Sequence, residues 1–249
     1  LPVALALLTF NLFPILLAFG VWSCKSYDHL AKVSASSMRL TPAPPDSQVT
    51  QLIYPYKSEL DTKMNEVLAT CPENLTKGRP ESTLTNWVAD ALYNQAIQVY
   101  TEPIAFAYQN YGGIRINTLG KGPVSLNKIY EIMPFDNTLV LVKLSGSELQ
   151  QFFDYMAAGG GSPVSASARY NIEAGKPVRI TIHGKAIDPT SSYYVAMTDY
   201  IANGGDNLVY LKDKPRLDKN VLVRDLLIKE SKDKGIVKSV LDQRVLLKN

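Results

Sequence analysis

Three short segments of the sequence carry side chains that could recognise a small ligand. In the first, Gly112 and Gly113 follow a predicted strand and lie between Asn110 and Arg115. Glycine has no Cβ, so backbone amides at these positions can approach a ligand closely. The guanidinium group of Arg115 is planar and suits a carboxylate or a phosphate. Taken alone, this segment could also be a simple tight turn.

The other two segments each supply an aromatic ring. A loop between a predicted helix and a predicted strand holds Phe135 and Asn137, although an aromatic residue at such a place is more often part of the core or of a turn. The third segment combines Tyr200 with two glycines and Asp206, whose carboxylate can accept hydrogen bonds from two hydroxyl or amino groups. The alternative for this segment is a turn that caps a helix.

The three segments are more informative together than apart. They offer two rings, one carboxylate, two side-chain amides and one guanidinium group. A planar base with an attached sugar requires stacking on both faces, and hydrogen bonds to the ring edge and to the hydroxyls. The combination therefore predicts a pocket for a ligand of this kind.

The elements that must position these loops follow one another without strict alternation of helix and strand. Apolar spacing predicts a helix at 47–69 that is kinked or broken by Pro55. Ser145 and Glu148 stand at capping-box spacing and predict a helix that ends at Gly159. The other predicted elements are helices at 82–98, 125–132 and 221–228, and strands at 104–108, 138–144, 170–172, 178–182, 193–197 and near Val245. This order indicates an α+β domain with a mixed β-sheet and flanking helices.

The composition excludes two classes of protein. Hydrophobic residues make up 46% of the chain and charged residues 20%, which is typical of a globular protein and not of a disordered one. The net charge of +3, from 26 basic and 23 acidic residues, is too small and too evenly spread for a surface that binds nucleic acid. The lysine-rich stretch 212–238 also contains acidic residues, which predicts a solvated face.

The N-terminal residues predict export. Residues 1–22 contain no charged side chain, so this segment must enter a membrane or be removed. The residues before Cys24 resemble a bacterial lipoprotein processing site. We therefore expect a leader at 1–24 and a lipid anchor on Cys24 that holds the protein to a membrane, in the periplasm or at the cell surface. An uncleaved anchor and an ordinary signal peptide are the alternatives. Prolines in 25–46 predict a flexible tether, followed by a folded domain at 47–249.

Four segments, in this order and at these spacings, resemble the C-terminal domain of the bacterial and animal 5'-nucleotidases: 81–90, 110–115, 134–137 and 199–206. The likeness extends from about Ser47 to the end of the chain. In that family this domain binds the substrate and holds the nucleobase between two aromatic rings. It swings towards a separate N-terminal phosphoesterase domain that carries two metal ions. The resemblance thus implies the fold of that domain and a nucleotide or nucleoside ligand.

The resemblance also implies a role for most of the site residues. Phe135 and Tyr200 correspond to the two stacking rings, although the family often has phenylalanine at the second position. Asn110 and Asn137 correspond to contacts with the base. Asp206 corresponds to the acceptor for the ribose hydroxyls.

Two arginines belong to the same comparison. The resemblance makes Arg115 a contact to the carboxylate-like or phosphate end of the ligand. The family has a further arginine directly before the position of Glu81, but here Pro80 stands at that position and Arg79 is displaced by one residue. The role of Arg79 in the site is therefore left open.

The sequence is short of the residues that phosphoester hydrolysis requires. A centre with two metal ions needs several histidines and carboxylates, and the only histidines are His29 and His183. His183 falls at a predicted hairpin turn, where we expect it to be exposed. No serine stands in a nucleophile-elbow motif and no Walker-type phosphate loop is present. We therefore expect no catalytic residue, metal or cofactor in this chain.

Two functions of different kinds fit these observations. The first is the nucleotide-binding half of a 5'-nucleotidase, inactive by itself, which works with a separately encoded metallophosphoesterase that holds the divalent metals. The second is a stand-alone surface lipoprotein that captures nucleosides or related ligands without catalysis. A domain that keeps the fold and binds nothing is a third alternative.

Overall fold

The computed structural model describes residues 34–38 and 44–248. The expected leader, Cys24, His29 and most of the expected tether lie outside these residues. Among the residues that are described, no helix is both long enough and apolar enough to cross a membrane.

The described residues form six α-helices and twelve β-strands. The helices are α1 (Ser47–Met64), α2 (Thr83–Val99), α3 (Leu126–Ile132), α4 (Gly146–Ala158), α5 (Asp199–Ala202) and α6 (Val223–Lys234). The strands are β1 (Val67–Cys71), β2 (Leu75–Thr76), β3 (Ile104–Ala107), β4 (Thr118–Leu119), β5 (Gly122–Ser125), β6 (Thr138–Ser145), β7 (Ala168–Glu173), β8 (Lys176–Ile182), β9 (Lys185–Ala186), β10 (Ser192–Thr198), β11 (Arg216–Leu222) and β12 (Val245–Lys248). All twelve strands lie within the compact unit 48–249.

Two four-stranded sheets contain most of the strands. The central sheet has the order β11-β6-β10-β3, in which β10 and β3 are parallel and the other pairs are antiparallel. The second sheet has the order β12-β7-β8-β9 and also combines parallel with antiparallel pairs. This mixed pairing, together with the helices, confirms the predicted α+β fold.

The central sheet is buried on both faces, as its middle strand β6 shows. Leu139 and Leu141 pack into one apolar core with α2, α3 and α6. Val140, Val142 and Leu144 pack into a second core with α4 and the second sheet. Successive side chains of a strand point to opposite faces, so one apolar run serves both cores. The sheet is therefore a rigid support for the loops at its ends.

The start of α4 forms as the sequence predicts. The Ser145 side chain accepts a hydrogen bond from the Glu148 backbone N–H at 3.3 Å, and the Ser145 N–H donates to the Glu148 carboxylate at 2.8 Å. These two bonds satisfy two of the backbone donors that a helix start leaves free. Gly159 is the C-cap residue, so both predicted ends of this helix are confirmed.

The predicted helix at 47–69 is wrong in its second part. Helix α1 runs through Pro55 and ends at Met64, and residues from Val67 onwards form β1, which pairs with β5. Leu68 is buried, whereas no residue of α1 is buried. The apolar residues near position 68 thus belong to a strand that faces the core. Their spacing matched the helical repeat only by coincidence, which made the predicted helix too long.

The last predicted helix is shifted. The helix α6 runs from Val223 to Lys234 instead of over 221–228. Val221 is part of the strand β11, which the sequence did not predict. This strand lies at the edge of the central sheet, and its side chains are exposed or half-buried. Its charged and amide residues have low strand propensity, so only pairing with β6 defines it. The predicted strand near Val245 is confirmed as β12.

Candidate functional site

Three segments meet at one end of the strands of the central sheet because of the sheet's topology. Strands β3 and β10 are parallel, so Asn110 and Tyr200, which follow them, leave the sheet at the same end. Strand β6 is antiparallel to β10, with Leu139 opposite Thr198. The loop that precedes β6 and carries Phe135 therefore lies at that end too. Residues from three distant parts of the chain are brought together in this way.

The three loops form a pocket of about 310 Å³. It is lined by Asn110, Gly112, Gly113, Arg115, Phe135, Asn137, Tyr200 and Asp206. These are the eight residues to which the sequence assigns ligand binding, and the structure places all of them around one opening. The volume lies at the lower end of the range for small-molecule sites. That these residues bind a substrate stays a prediction.

Both aromatic rings of the pocket remain partly exposed. Phe135 is 39% exposed and Tyr200 is 44% exposed, so neither ring is a core residue. A Cβ atom on Gly205 would lie 2.5 Å from Cε1 of Tyr200, which means that the turn can pack against this ring only because it contains glycine. A half-exposed ring at a pocket can offer a surface on which a flat ligand stacks.

The carboxylate of Asp206 connects two other residues of the pocket. The Tyr200 hydroxyl donates to Oδ1 at 2.9 Å, and the Asn110 side-chain amide donates to Oδ2 at 3.1 Å. The hydrogen bond to this carboxylate raises the pKa of the Tyr200 phenol, which stays neutral at physiological pH. A carboxylate has about four acceptor positions, so Asp206 keeps capacity for further donors.

Gln109 is a residue of the site that sequence reasoning missed. It is fully buried, and its amide donates to the Asn110 side-chain oxygen at 2.8 Å. A Cβ atom on Gly113 would lie 2.3 Å from this amide nitrogen and 2.6 Å from the Asn110 oxygen. Gly113 therefore makes room for the pair. The available signal was a polar residue at the end of an apolar strand, directly before Asn110.

Asp199 links two of the three loops, a role that the sequence did not predict. Its Oδ1 accepts hydrogen bonds from the backbone N–H of Thr138 at 3.1 Å and of Tyr200 at 2.8 Å. Thr138 begins β6, directly after the loop with Phe135. The carboxylate of Asp199 thus ties the segments that carry the two rings to each other.

A group of cations borders the pocket on one side. The guanidinium carbon of Arg115 lies 5.7 Å from the centre of the Phe135 ring. Lys77 and Arg79 each place their charge 4.2 Å from the centre of the Tyr111 ring, but neither lines the pocket. Burial, and then the charges of Arg115 and Arg79, lower the pKa of Lys77. In the described part of the chain no carboxylate pairs with these three cations, and an anionic group of a ligand would be attracted here.

The side chains that could ligate a metal ion are not clustered in the described part of the chain. No group of three or more histidine, cysteine, aspartate or glutamate side chains in 34–38 and 44–248 could hold a metal ion. His183 is exposed at the turn after β8, as predicted, and its Nε2 lies 3.1 Å from the carbonyl oxygen of Ile104.

Comparison with known proteins identifies the class to which this fold and pocket belong. The family model described as "5'-nucleotidase, C-terminal domain" matches residues 59–213, more than half of the chain. The chain belongs to this family, and the predicted resemblance is confirmed.

The curated relatives are much longer proteins. The chain is 28% identical over 193 residues to the NAD 5'-nucleotidase of Haemophilus influenzae, an alignment that covers 65% of this chain and 31% of that protein. It is 32% identical over 143 residues to a probable 5'-nucleotidase of Treponema pallidum, which covers 50% of this chain and 24% of the relative. The chain therefore spans less than a third of these two relatives.

Solved structures show the same relationship. The 5'-nucleotidase precursor of Thermus thermophilus superposes with a TM-score of 0.68 at 26% identity, over 83% of this chain and 44% of that one. The NAD nucleotidase of Haemophilus influenzae gives a TM-score of 0.62 at 23% identity, over 82% of this chain and 42% of that one, and supports the fold alone.

Proposed function

We propose that this domain is the substrate-binding part of a 5'-nucleotidase and that its pocket binds the nucleoside portion of a nucleotide. In this proposal, Phe135 and Tyr200 take the base between their rings. The observation that carries the proposal is the meeting of these two half-exposed rings and the Asp206 carboxylate in one pocket. Membership of the 5'-nucleotidase family supports the same ligand class.

The polar groups of the pocket have matching tasks in this proposal. Asp206 has acceptor capacity left after its bonds to Tyr200 and Asn110, and it accepts the ribose hydroxyls. Asn137 and the second amide hydrogen of Asn110 contact the edge of the base. Arg115 and the amide of Gly112 face the phosphate end, where the surrounding charge is positive, whereas the Gly113 N–H is already bonded to the carbonyl oxygen of Asn110.

Hydrolysis of the phosphoester is proposed to need a partner. A separate metallophosphoesterase with two divalent ions would supply the activated water and the stabilisation of phosphate charge. The residues of this chain would bind the nucleoside end and hold the phosphate towards that partner. The greater length of the relatives and the match to a C-terminal domain support this division of labour.

We also propose that the protein is exported and anchored through a lipid on Cys24. The support is the uncharged segment 1–22 and the lipoprotein-like residues before the cysteine. Mass spectrometry of the native protein tests this proposal. A mature chain that begins at a lipid-modified Cys24 would support it, and an intact segment 1–23 would contradict it.

Calorimetric titration with AMP, adenosine and ribose 5-phosphate tests the ligand. We expect the protein to bind AMP, and Phe135→Ala and Tyr200→Ala each to weaken binding by about 1–3 kcal/mol because a stacking face is lost. Tyr56→Ala is the matched control, since that ring is exposed on α1 and does not line the pocket. Absence of AMP and adenosine binding would contradict the proposal.

A second experiment tests the partnership. The protein is mixed with the metallophosphoesterase domain of a 5'-nucleotidase and a divalent metal, and release of phosphate from AMP is measured. Hydrolysis above that of either component alone is expected. Adenosine binding without any such gain would favour the stand-alone binding protein instead.

A further inference from the structure

The first turn of α6 holds the loop that carries Phe135. The backbone N–H of Val223 donates to the carbonyl oxygen of Asn137 at 2.9 Å. The guanidinium group of Arg224 donates to the Asp136 carboxylate at 2.5 Å and to the carbonyl oxygen of Phe135 at 3.4 Å. Three consecutive loop residues, two of which line the pocket, are therefore bound to two consecutive residues of one helix.

Arg224 is buried although its ionic partner is not. The residue is 7% exposed, whereas the Asp136 side chain is 78% exposed. The guanidinium carbon also lies 4.2 Å from the centre of the Tyr130 ring on α3, a favourable cation–π contact. In the described structure its Nε has no hydrogen-bond partner, so the hydrogen bonds of this buried cation all go to the loop with Phe135.

This arrangement gives the loop one preferred position. A buried cation is costly unless its partners are in place, and here the partners are present only when Phe135 and Asp136 lie as the structure shows. A ring that is held ready for its ligand spares the free energy of ordering it on binding.

We infer that Arg224 is a positioning residue for the nucleobase: it acts through Asp136 and the backbone of Phe135 to hold the ring at the pocket. The inference rests on the proposed function, because it assumes that Phe135 stacks on a base. Its effect should fall mainly on the base, since Arg224 does not line the pocket and reaches it only through the loop with Phe135.

The test is a double-mutant cycle with two probes. Arg224→Met is expected to weaken AMP binding about tenfold and to leave ribose 5-phosphate binding unchanged, because that probe has no base. In a Phe135→Ala background the same substitution is expected to change AMP binding less than about twofold. Arg224→Lys should restore part of the affinity, because the charge and its contact with Asp136 are retained.

Two further variants keep the test decisive. Asp136→Asn removes the same ion pair by changing its exposed partner, so it replaces Arg224→Met if that variant does not fold. The loss of AMP affinity caused by Asp136→Asn should also disappear in the Phe135→Ala background. Arg169→Met breaks another Arg–Asp pair, with Asp242, in which the arginine is the more exposed partner, and should leave AMP binding unchanged.

The outcomes separate the inference from the proposed function. If the unmodified protein binds no AMP, both are overturned. The inference alone is overturned if the protein binds AMP but Arg224→Met weakens the binding of AMP and of ribose 5-phosphate equally. It is also overturned if Arg224→Met weakens AMP binding equally in the presence and in the absence of the Phe135 ring.

Discussion

Two polar clusters in this molecule are built from distant segments and differ in how fully they are paired. Around Arg244, which is 2% exposed, the guanidinium group makes two bonds to Asp90, at 2.7 and 2.9 Å, and two to Asp242, at 2.8 and 3.4 Å. It also donates to the carbonyl oxygen of Val164. At the pocket, Arg115 is exposed and has no carboxylate partner among the described residues.

The difference distinguishes a cluster that serves stability from the candidate binding site. The Arg244 cluster joins α2 to the end of the chain, and its cation has no capacity left for a ligand. The pocket keeps free acceptor positions on Asp206, two half-exposed rings, and on Arg115 a guanidinium group whose hydrogen bond goes to the carbonyl oxygen of Gly112 and which has donors left. Polar groups with unused capacity in a pocket are those from which a ligand can gain binding energy.

The largest expected effect is on stability, at the paired cluster. Arg244→Met should lower the free energy of unfolding by about 3 kcal/mol, because it leaves Asp90 without its ionic partner and Asp242 with Arg169 alone, in a partly buried place. AMP binding should be unchanged. Urea denaturation measures the first quantity and calorimetric titration the second. Loss of AMP affinity in a folded variant would mean that the two clusters are not independent.

An intermediate effect is expected at the pocket, on binding. Asp206→Asn should weaken AMP binding by about 1.5–3 kcal/mol, because hydrogen bonds to a charged acceptor are lost, and should change stability by less than about 1 kcal/mol. Binding of 2',3'-dideoxy-AMP should weaken less, since this analogue has no ribose hydroxyls and is affected only through the bonds of Asp206 to Tyr200 and Asn110. Equal losses for the two ligands would argue against a ribose contact at Asp206.

The smallest expected effect concerns the titration of Tyr200. Its pKa is raised above the ordinary value of 10.0 by the hydrogen bond to Asp206. Because the folded-state pKa is the higher one, this bond contributes its full stability below the unfolded pKa and loses it as pH rises through the folded pKa. Ultraviolet titration of the protein, compared with Tyr200→Phe, should show ionisation above pH 10. Asp206→Asn should move it back towards 10, and ionisation below 10 would contradict the structure of the pocket.

The candidate site could be predicted largely from side-chain types, but its supports could not. Phe135, Tyr200 and Asp206 are conspicuous in the sequence because each stands in a short segment with glycine or proline. Asp199 and Arg224 act through hydrogen bonds to the backbone of a loop that is distant in sequence. Such bonds depend on the path of the chain and leave no local pattern.

The fold shows the same limit. The strands with long apolar runs and the capped helix α4 were predicted, since their signals lie within a few residues. The edge strand β11 and the end of α1 were not, because pairing partners define them.

The sequence by itself determined the family, the mixed α+β class and the eight residues of the pocket, because motif spacing and local propensity are properties of neighbouring residues. Only the tertiary structure decided that these residues meet at one end of the sheet's strands. It also decided that Asp206 is hydrogen-bonded to Tyr200 and Asn110, and that Arg224 is hydrogen-bonded to the loop that carries Phe135. The physical reason is that strand direction and register, which set these distances, are fixed by pairing between segments far apart in the chain.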